Sequence, residues 1–450
     1  MQLIFRDFLL MIKNISKFFT RILERWLPDA FIIAITITFI VLLIGVLVQD
    51  HSPTQMVRLW GNGVWDLLIF SMQVTITLFT GSVLAQTNSV KKGLKSIASI
   101  AKNPGQAIIL MTMIALICCW ISWGFGLIAS ALMAREIAYQ IKGVHYPLLV
   151  ASAYSGMLVW HAGLSGSIPL KIAATDNDQL SALLDGNVIP LSETIFSWES
   201  LVVCLVLFIT LPIINKLMMP SPSEVIEINL DKLPIDLDLT SDNSTPAQYI
   251  ENHRFPTLCL GLLGACYLID YIINGEPVGL NTINFVFLVA GLLLHRSAAS
   301  YLTALGEAVK GLSGIVLQFP LYAGIMGMMI GSGLAASMSE WFVSISNTDT
   351  FTLLTFLSAG IVNVFVPSGG GQWAVQAPIV IPAAESLGVP LNKAAMAVAF
   401  GDAWTNMIQP LWALPLLGIA GLKIKDIMGY CTVALIWSGI VFTLSMLLLF

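Results

Sequence analysis

Charge is scarce in this chain. Asp, Glu, Lys and Arg make up 10% of its 450 residues, where a soluble domain carries about a quarter. With 57% hydrophobic residues, that deficit excludes an ordinary soluble fold and predicts an all-α polytopic membrane protein. Basic runs are absent too: the net charge is -5, and no polybasic tail invites nucleic acid as a partner. The six cysteines, Cys118, Cys119, Cys204, Cys259, Cys266 and Cys431, lie in apolar runs without zinc-type spacing. They read as reduced packing residues. There is no Walker A sequence, no H-E-x-x-H and no G-x-S-x-G, so neither ATP hydrolysis nor a recognised hydrolase chemistry is predicted. The expectation is a protein that is not an enzyme and has no catalytic residues.

What the chain does have is apolar runs of about the length that spans a bilayer. Thirteen qualify. Six precede a central polar loop: Ala30 to Val48, Val64 to Ala85, Gly105 to Ile121, Gly124 to Ile141, Pro147 to Pro169, and Leu201 to Met219. One follows it alone, Thr257 to Ile273, and six more come after: Ile283 to His295, Ala308 to Ile330, Phe351 to Val366, Trp373 to Leu387, Ala394 to Leu417, and Ile427 to Phe450. Before the first run, Arg6, Lys13, Lys17, Arg21 and Arg25 alternate with Phe5, Phe8, Leu9, Ile12, Phe19, Ile22 and Leu23 at helical spacing. That pattern predicts an amphipathic helix on the membrane surface, with the N-terminus held in the cytoplasm by its basic residues. Threading from there puts Lys91, Lys92, Lys95, Lys102, Arg135, Lys142, Arg296, Lys423 and Lys425 inside, with Lys171 and Lys393 as exceptions outside. The loops assigned outside carry Asp50, Asp176, Asp178, Asp185, Glu193, Glu276, Glu340 and Asp349. The stretch Ser221 to Arg254 is acidic and poor in aromatics, and predicts a solvated linker. The expected organisation is therefore a surface helix over 1–28, a first repeat over 29–219, a linker over 220–256, a linking span over 257–280 and a second repeat over 281–450.

The run Pro367-Ser-Gly-Gly-Gly-Gln372 interrupts an uncharged stretch. Three consecutive glycines weaken a helix and uncover backbone, which a bilayer tolerates only where the backbone is buried in protein or lines a cavity. A nearly constant offset aligns it with Ser122-Trp-Gly-Phe-Gly126: Ser122 with Ser368, Gly124 with Gly370, Tyr154 with Phe400, and Pro169 with Pro415. A similar offset pairs Gly61 with Gly306 and Gln73 with Gln318. Six spans plus an unpaired seventh turn the second copy over, so the fold class expected is two inverted-topology repeats with broken or re-entrant helices meeting near the midplane. Helix N-termini at Ser122, Gly124, Gly126 and at Ser368, Gly369, Gly370, Gly371 and Gln372 can aim amides and positive dipole ends at an anion. Plain glycine-rich turns between neighbouring helices are the alternative.

The helices after the breaks carry the remaining polar groups. Asp402, Thr405, Asn406 and Gln409 recur at spacings of three and four, so they share a face. A carboxylate within a span must be protonated, paired or bound to a cation. With Asn363 these residues form the candidate site for a coupling sodium (Asn363, Asp402, Asn406) or a proton on Asp402. In the first half, Tyr154, His161, Ser165 and Ser167 lie on the equivalent face, and His161 is the candidate to contact a carboxylate or move a proton. A hydrogen-bonded core histidine is the plainer reading. Trp120, Trp123, Trp160, Trp373, Trp404 and Trp412 gather near the breaks and could wall an acyl pocket or serve as packing.

The stretches Arg25-Trp-Leu-Pro-Asp29, Ser122-Trp-Gly-Phe-Gly126, His145-Tyr-Pro-Leu-Leu149, Asn363 through Trp373, and Asp426-Ile-Met-Gly-Tyr430 resemble the bacterial short-chain fatty acid transporter family. The resemblance extends over nearly the whole chain. It implies an inner-membrane carrier related to the ion transporter superfamily, with elevator-like alternating access, a monocarboxylate such as acetoacetate or butyrate as substrate, and a homodimer as partner. Hairpins could then replace full crossings near Ser122 and Ser368. The function expected is secondary active uptake coupled to a proton or sodium gradient, with no cofactor beyond that ion. A sodium/proton antiporter, another anion carrier of the superfamily, or an anion channel are the alternatives.

Overall fold

The computed structural model describes residues 2–173, 188–228, 245–275, 279–309 and 313–450, which are helical and without strands. Asp176, Asp178, Asp185 and Glu276, and most of the acidic linker, lie outside the described residues. The helices are α1 (Gln2–Trp26), α2 (Ala30–Val48), α3 (Pro53–Gly63), α4 (Leu68–Ala85), α5 (Asn88–Ala98), α6 (Pro104–Ile121) and α7 (Trp123–Gln140). Then come α8 (Tyr146–Tyr154), α9 (Ser167–Ile172), α10 (Trp198–Leu217), α11 (Pro246–Asn252), α12 (Phe255–Ile273), α13 (Leu280–Leu294) and α14 (Ala298–Val309). The last are α15 (Ser313–Gly331), α16 (Leu334–Ser344), α17 (Phe351–Phe365), α18 (Gly369–Leu387), α19 (Leu391–Thr405), α20 (Pro410–Ala420) and α21 (Ile424–Leu448).

Local sequence sets many of the starts. The Asp29 carboxylate accepts from Phe31 N at α2, Ser52 and Gln55 form a capping box at α3, and Asn103 caps α6 with Pro104 in its first turn, each satisfying amides that a helix end leaves free.

Among the described residues, seven helical stretches are long and apolar enough to cross a membrane, one of them the composite run Tyr146–Ile172, or eight if the pair Val316–Gly331 and Leu334–Ser344, bent by 57°, forms one span. The protein is a multi-pass membrane protein. The thirteen apolar runs do not map onto thirteen continuous helices, because several are broken where the polar motifs lie. Ser122 separates α6 from α7; residues 366–368 separate α17 from α18; a 3₁₀ segment, Ser155–Ala162, follows α8; another, Asn406–Ile408, joins α19 to α20. The order helix, break, helix, helix, 3₁₀ turn, helix, helix therefore occurs twice, over α6–α10 and over α17–α21.

Buried side chains gather in two large clusters, which share α7, α17 and α20, and a small third one of Val83, Leu292, Tyr301 and Ala304. One large core joins α6–α8 and α10 to α17–α21 through Tyr154, Phe356, Phe400 and Phe442. A second core joins α2, α3, α4, α15 and α16 through Val41, Met56, Leu78, Phe319 and Tyr322. In the second, Gly63 and Gly327 allow two helix backbones into contact: a Cβ on Gly63 would lie 2.8 Å from Gly327 Cα, the small-residue packing that membrane helices favour.

The N-terminal helix does more than line a surface. α1 buries Ile12 and Ser16 and lays Thr20 on Gly429 of α21, where an added Cβ would come within 2.5 Å of Thr20 Cα. Its other side exposes Met11, Phe18 and Trp26. The linker also departs from a solvated coil over residues 221–228. Lys13 Nζ donates to Ser221 Oγ at 3.0 Å, Lys17 pairs with Glu224 at 2.8 Å, and Gly143 N donates to Glu227 Oε1 at 2.6 Å. Ile226 then clips onto the start of α8. Its N–H donates to His145 Nδ1 at 3.0 Å, and its carbonyl accepts from Tyr146 N at 2.8 Å. Since Nδ1 accepts, Nε2 carries the proton and faces the Tyr430 hydroxyl at 2.8 Å. Burial pulls the His145 pKa down from 6.5 to about 4, against a weaker upward pull from Glu224.

Candidate functional site

Asp402 lies in α19 and is 1% exposed; His161 lies in the 3₁₀ segment after α8 and is 0% exposed. Imidazole Nε2 stands 3.2 Å from carboxylate Oδ1. Each residue comes from a different copy of the repeated element order, so the pair bridges the two halves at their breaks. The alignment that makes it an ion-pair contact does not make it a well-directed hydrogen bond, and His161 Nδ1 and Asp402 Oδ2 have no partner among the described residues.

Around Asp402 the structure assembles the residues expected from spacing alone. Asn363 Nδ2, in the last turn of α17, donates to the Asp402 carbonyl at 2.9 Å, to Thr405 Oγ1 at 3.0 Å and to Asn406 Oδ1 at 2.7 Å. Asn406 Nδ2 reaches Asp402 Oδ1 at 3.3 Å, and Gln409 Nε2 donates back to the Val364 carbonyl at 2.9 Å. Three oxygens thus converge on one amide that has two hydrogens to give, while Asn363 Oδ1 is buried without a donor. The donor set is all oxygen, with one carboxylate, which suits a hard monovalent cation or a proton better than a soft metal.

The second break presents its glycines to the same place. Ser368 caps α18 by accepting from Gly371 N at 3.3 Å. Gly369 fits because it has no side chain: a Cβ there would lie 2.5 Å from Ser167 Oγ and 2.6 Å from His161 Nε2. Lys171, from α9, donates to the Gly370 carbonyl at 3.1 Å. Gln372 is buried and turns inward, its amide donating to the Ala359 carbonyl and to Gln376 Oε1, both at 2.8 Å, with Oε1 left unpaired.

The first break is arranged differently. Ser122 makes no side-chain cap; the free amide of Trp123 is satisfied instead by Ser165 Oγ at 2.9 Å. Gly124 is buried in the first turn of α7. Gly126 lies against the preceding helix, where a Cβ would meet Cys119 Sγ at 2.5 Å, so its geometry is that of a tight α6–α7 turn. One short segment, His161 to Lys171, therefore touches the N-termini of both α7 and α18. Beside it Trp123 meets Trp160 and Trp412 edge to face, Trp160 and Trp412 are tilted to each other, the ring centroids lie 5.2 to 6.3 Å apart, and Phe70 joins them at 5.9 Å from both Trp123 and Trp412. Trp160 also lies over the His161 ring at 3.7 Å. Lys171 was legible only as an outer-side exception to the charge pattern; nothing in its spacing pointed to the glycine run.

The family model for short chain fatty acid transporters matches residues 11–449. The chain belongs to that family. A relative from Escherichia coli (strain K12), provisionally named a short-chain fatty acid transporter, is 43% identical over 442 residues, covering 97% of this chain and 100% of the relative. A relative from Haemophilus influenzae, with the same provisional name, is 42% identical over 447 residues, covering 97% and 99%. Among solved structures, the Alcanivorax borkumensis YdaH transporter is similar at 14% identity and a TM-score of 0.43, covering 93% of this chain and 98% of that one. Membership makes this chain a transporter and not an enzyme.

Proposed function

We propose that this carrier imports short-chain monocarboxylates, of the acetoacetate or butyrate type, across the bacterial inner membrane by secondary active transport. The observation that carries the reading is the His161–Asp402 pair, buried between the two halves and in contact with the N-terminus of α18. A carboxylate and an imidazole 3.2 Å apart in a water-poor interior offer a place for a coupling proton. Taking up or losing that proton changes the charge beside the glycine backbone that holds the substrate anion, which links substrate binding to the proton gradient. The aromatic group of Trp123, Trp160, Trp412 and Phe70 supplies an apolar wall for a short acyl chain.

The repeated order of elements supports an inverted pair of repeats working by alternating access. A cytoplasmic N-terminus follows from the basic face of α1, and a homodimer remains the family-level expectation.

Sodium is a second reading, favoured by one specific feature: Asn363 Oδ1 and Asp402 Oδ2 are buried acceptors without donors. Asp402, Asn363, Thr405 and Asn406 would hold the ion, which would supply positive charge next to the substrate anion. A sodium/proton antiporter using the same residues would ignore organic acids.

Purified protein in liposomes, given labelled butyrate or acetoacetate under separately imposed proton and sodium gradients, tests these readings. Accumulation driven by one gradient supports coupling to that ion. If neither acid accumulates under either gradient while ion exchange proceeds, the antiporter reading replaces this one.

A further inference from the structure

We infer that Lys171 is the residue whose charge binds the substrate carboxylate, in a pocket shared with Ser167, His161 and the first turn of α18. This rests on the carrier reading above and deepens it by naming the charge that recognises the anion. Ser167 and Lys171 are one helical turn apart on α9 and so share a face. Lys171 Nζ stands 3.1 Å from the Gly370 carbonyl, and a Cβ on Gly370 would come within 3.0 Å of it. Ser167 Oγ is buried and unpartnered, and so is Nδ1 of His161, itself 0% exposed.

Two physical arguments make this a site for an anion. An ammonium has three hydrogens to donate; here one goes to a neutral carbonyl, and among the described residues no carboxylate pairs with it. It is also in the wrong place for a bare cation, because the N-terminal turn of a helix carries positive partial charge and disfavours a second positive group. A carboxylate seated between Lys171, the Ser167 hydroxyl and the open amides of Gly369 and Gly370 resolves both. The pocket offers one full positive charge. A monoanion is matched by it, whereas a dicarboxylate brings a second charge for which this pocket has no cation.

The test uses the full chain. In liposomes, Lys171→Gln should raise the half-saturating butyrate concentration by about 10–100-fold, the worth of a charge-assisted hydrogen bond, and Lys171→Arg should stay near the wild type. Inhibition by butyrate relative to its neutral amide, butyramide, should fall toward unity in Lys171→Gln. A merely structural lysine would not move that ratio. Unchanged half-saturation and ratio in Lys171→Gln overturn the inference and leave the carrier reading intact. If Lys171→Gln does not fold, Ser167→Ala should lower the same ratio, and an unchanged ratio there counts against the pocket. Should the wild type transport no acid at all, butyrate-dependent thermal stabilisation in detergent decides separately. Stabilisation of the wild type but not of Lys171→Gln keeps the site while the carrier reading fails, and equal or absent stabilisation removes both.

Discussion

Tyr154, the last residue of α8, donates its hydroxyl to the carbonyl of Asn406, the first residue of the 3₁₀ turn after α19, at 2.5 Å. A helix that tightens into a 3₁₀ turn leaves carbonyls without their usual amides. The Asn406 carbonyl keeps one amide, Gln409 N at 3.2 Å, and Tyr154 adds a second donor to it from the other half of the molecule.

Removing that hydroxyl therefore has a definite cost. Tyr154→Phe keeps the ring and removes one buried hydrogen bond while Gln409 N still serves the Asn406 carbonyl, and thermal unfolding in detergent should show a loss of about 0.5–1.5 kcal/mol. An unshifted melting curve would mean that the Gln409 amide alone suffices for that carbonyl.

The His161–Asp402 pair lends itself to a double-mutant cycle. His161→Ala alone strands a buried carboxylate, with an expected loss of about 3–5 kcal/mol in stability if that carboxylate is charged. Adding Asp402→Asn should recover much of it, giving a coupling energy well outside the error of additive changes. In transport, Asp402→Asn should keep exchange of substrate across the membrane but lose accumulation against a gradient. Additive stabilities would sink the idea of a mutual pair.

Within the glycine run the crowded position is Gly369. Gly369→Ala would drive a methyl into Ser167 and His161, whereas Gly370→Ala meets only the tip of a lysine chain. Uptake should fall much further in the first variant than in the second, with similar protein yield. Equal effects would show that backbone freedom, not space, is what the run supplies.

Where Ile226 clips onto the start of α8, acid should weaken the protein through His145. Its pKa falls from 6.5 to about 4 on folding, so the unfolded chain binds more protons between those values. The contribution is complete above about pH 6.5 and drains away as the pH falls toward 4, on the order of 3 kcal/mol in total. Thermal melts from pH 7 to pH 4 should slope less in His145→Gln than in the wild type.

The sequence made the site legible where polarity is rare. In an uncharged stretch, Asp402 and its neighbours at helical spacing stand out, and the structure does bring Asn363, Asp402, Thr405 and Asn406 into one network. Spacing could not reveal which helices break: Ala394 to Leu417 reads as one run, because the residues of its 3₁₀ turn are ordinary helix neighbours. It could not reveal Lys171 either, since a lysine near a span end reads the same, here as an outer-side exception to the charge pattern, whether it faces water or a buried backbone. The role of Ser122 at the first break passes to Ser165, forty-odd residues on, a contact that only tertiary folding creates.

The His161 to Lys171 segment has a thermodynamic consequence. It touches the starts of both α7 and α18 as well as Asp402, so in the carrier proposed above whatever fixes its position at one of these places would alter the free energy of occupancy at the others. Linkage makes that influence reciprocal: the factor by which a bound ion tightens the grip on substrate equals the factor by which substrate tightens the grip on the ion. A substitution in this segment should then change the ratio of the two affinities, loosening the stoichiometric tie between ion and cargo even where each alone still binds.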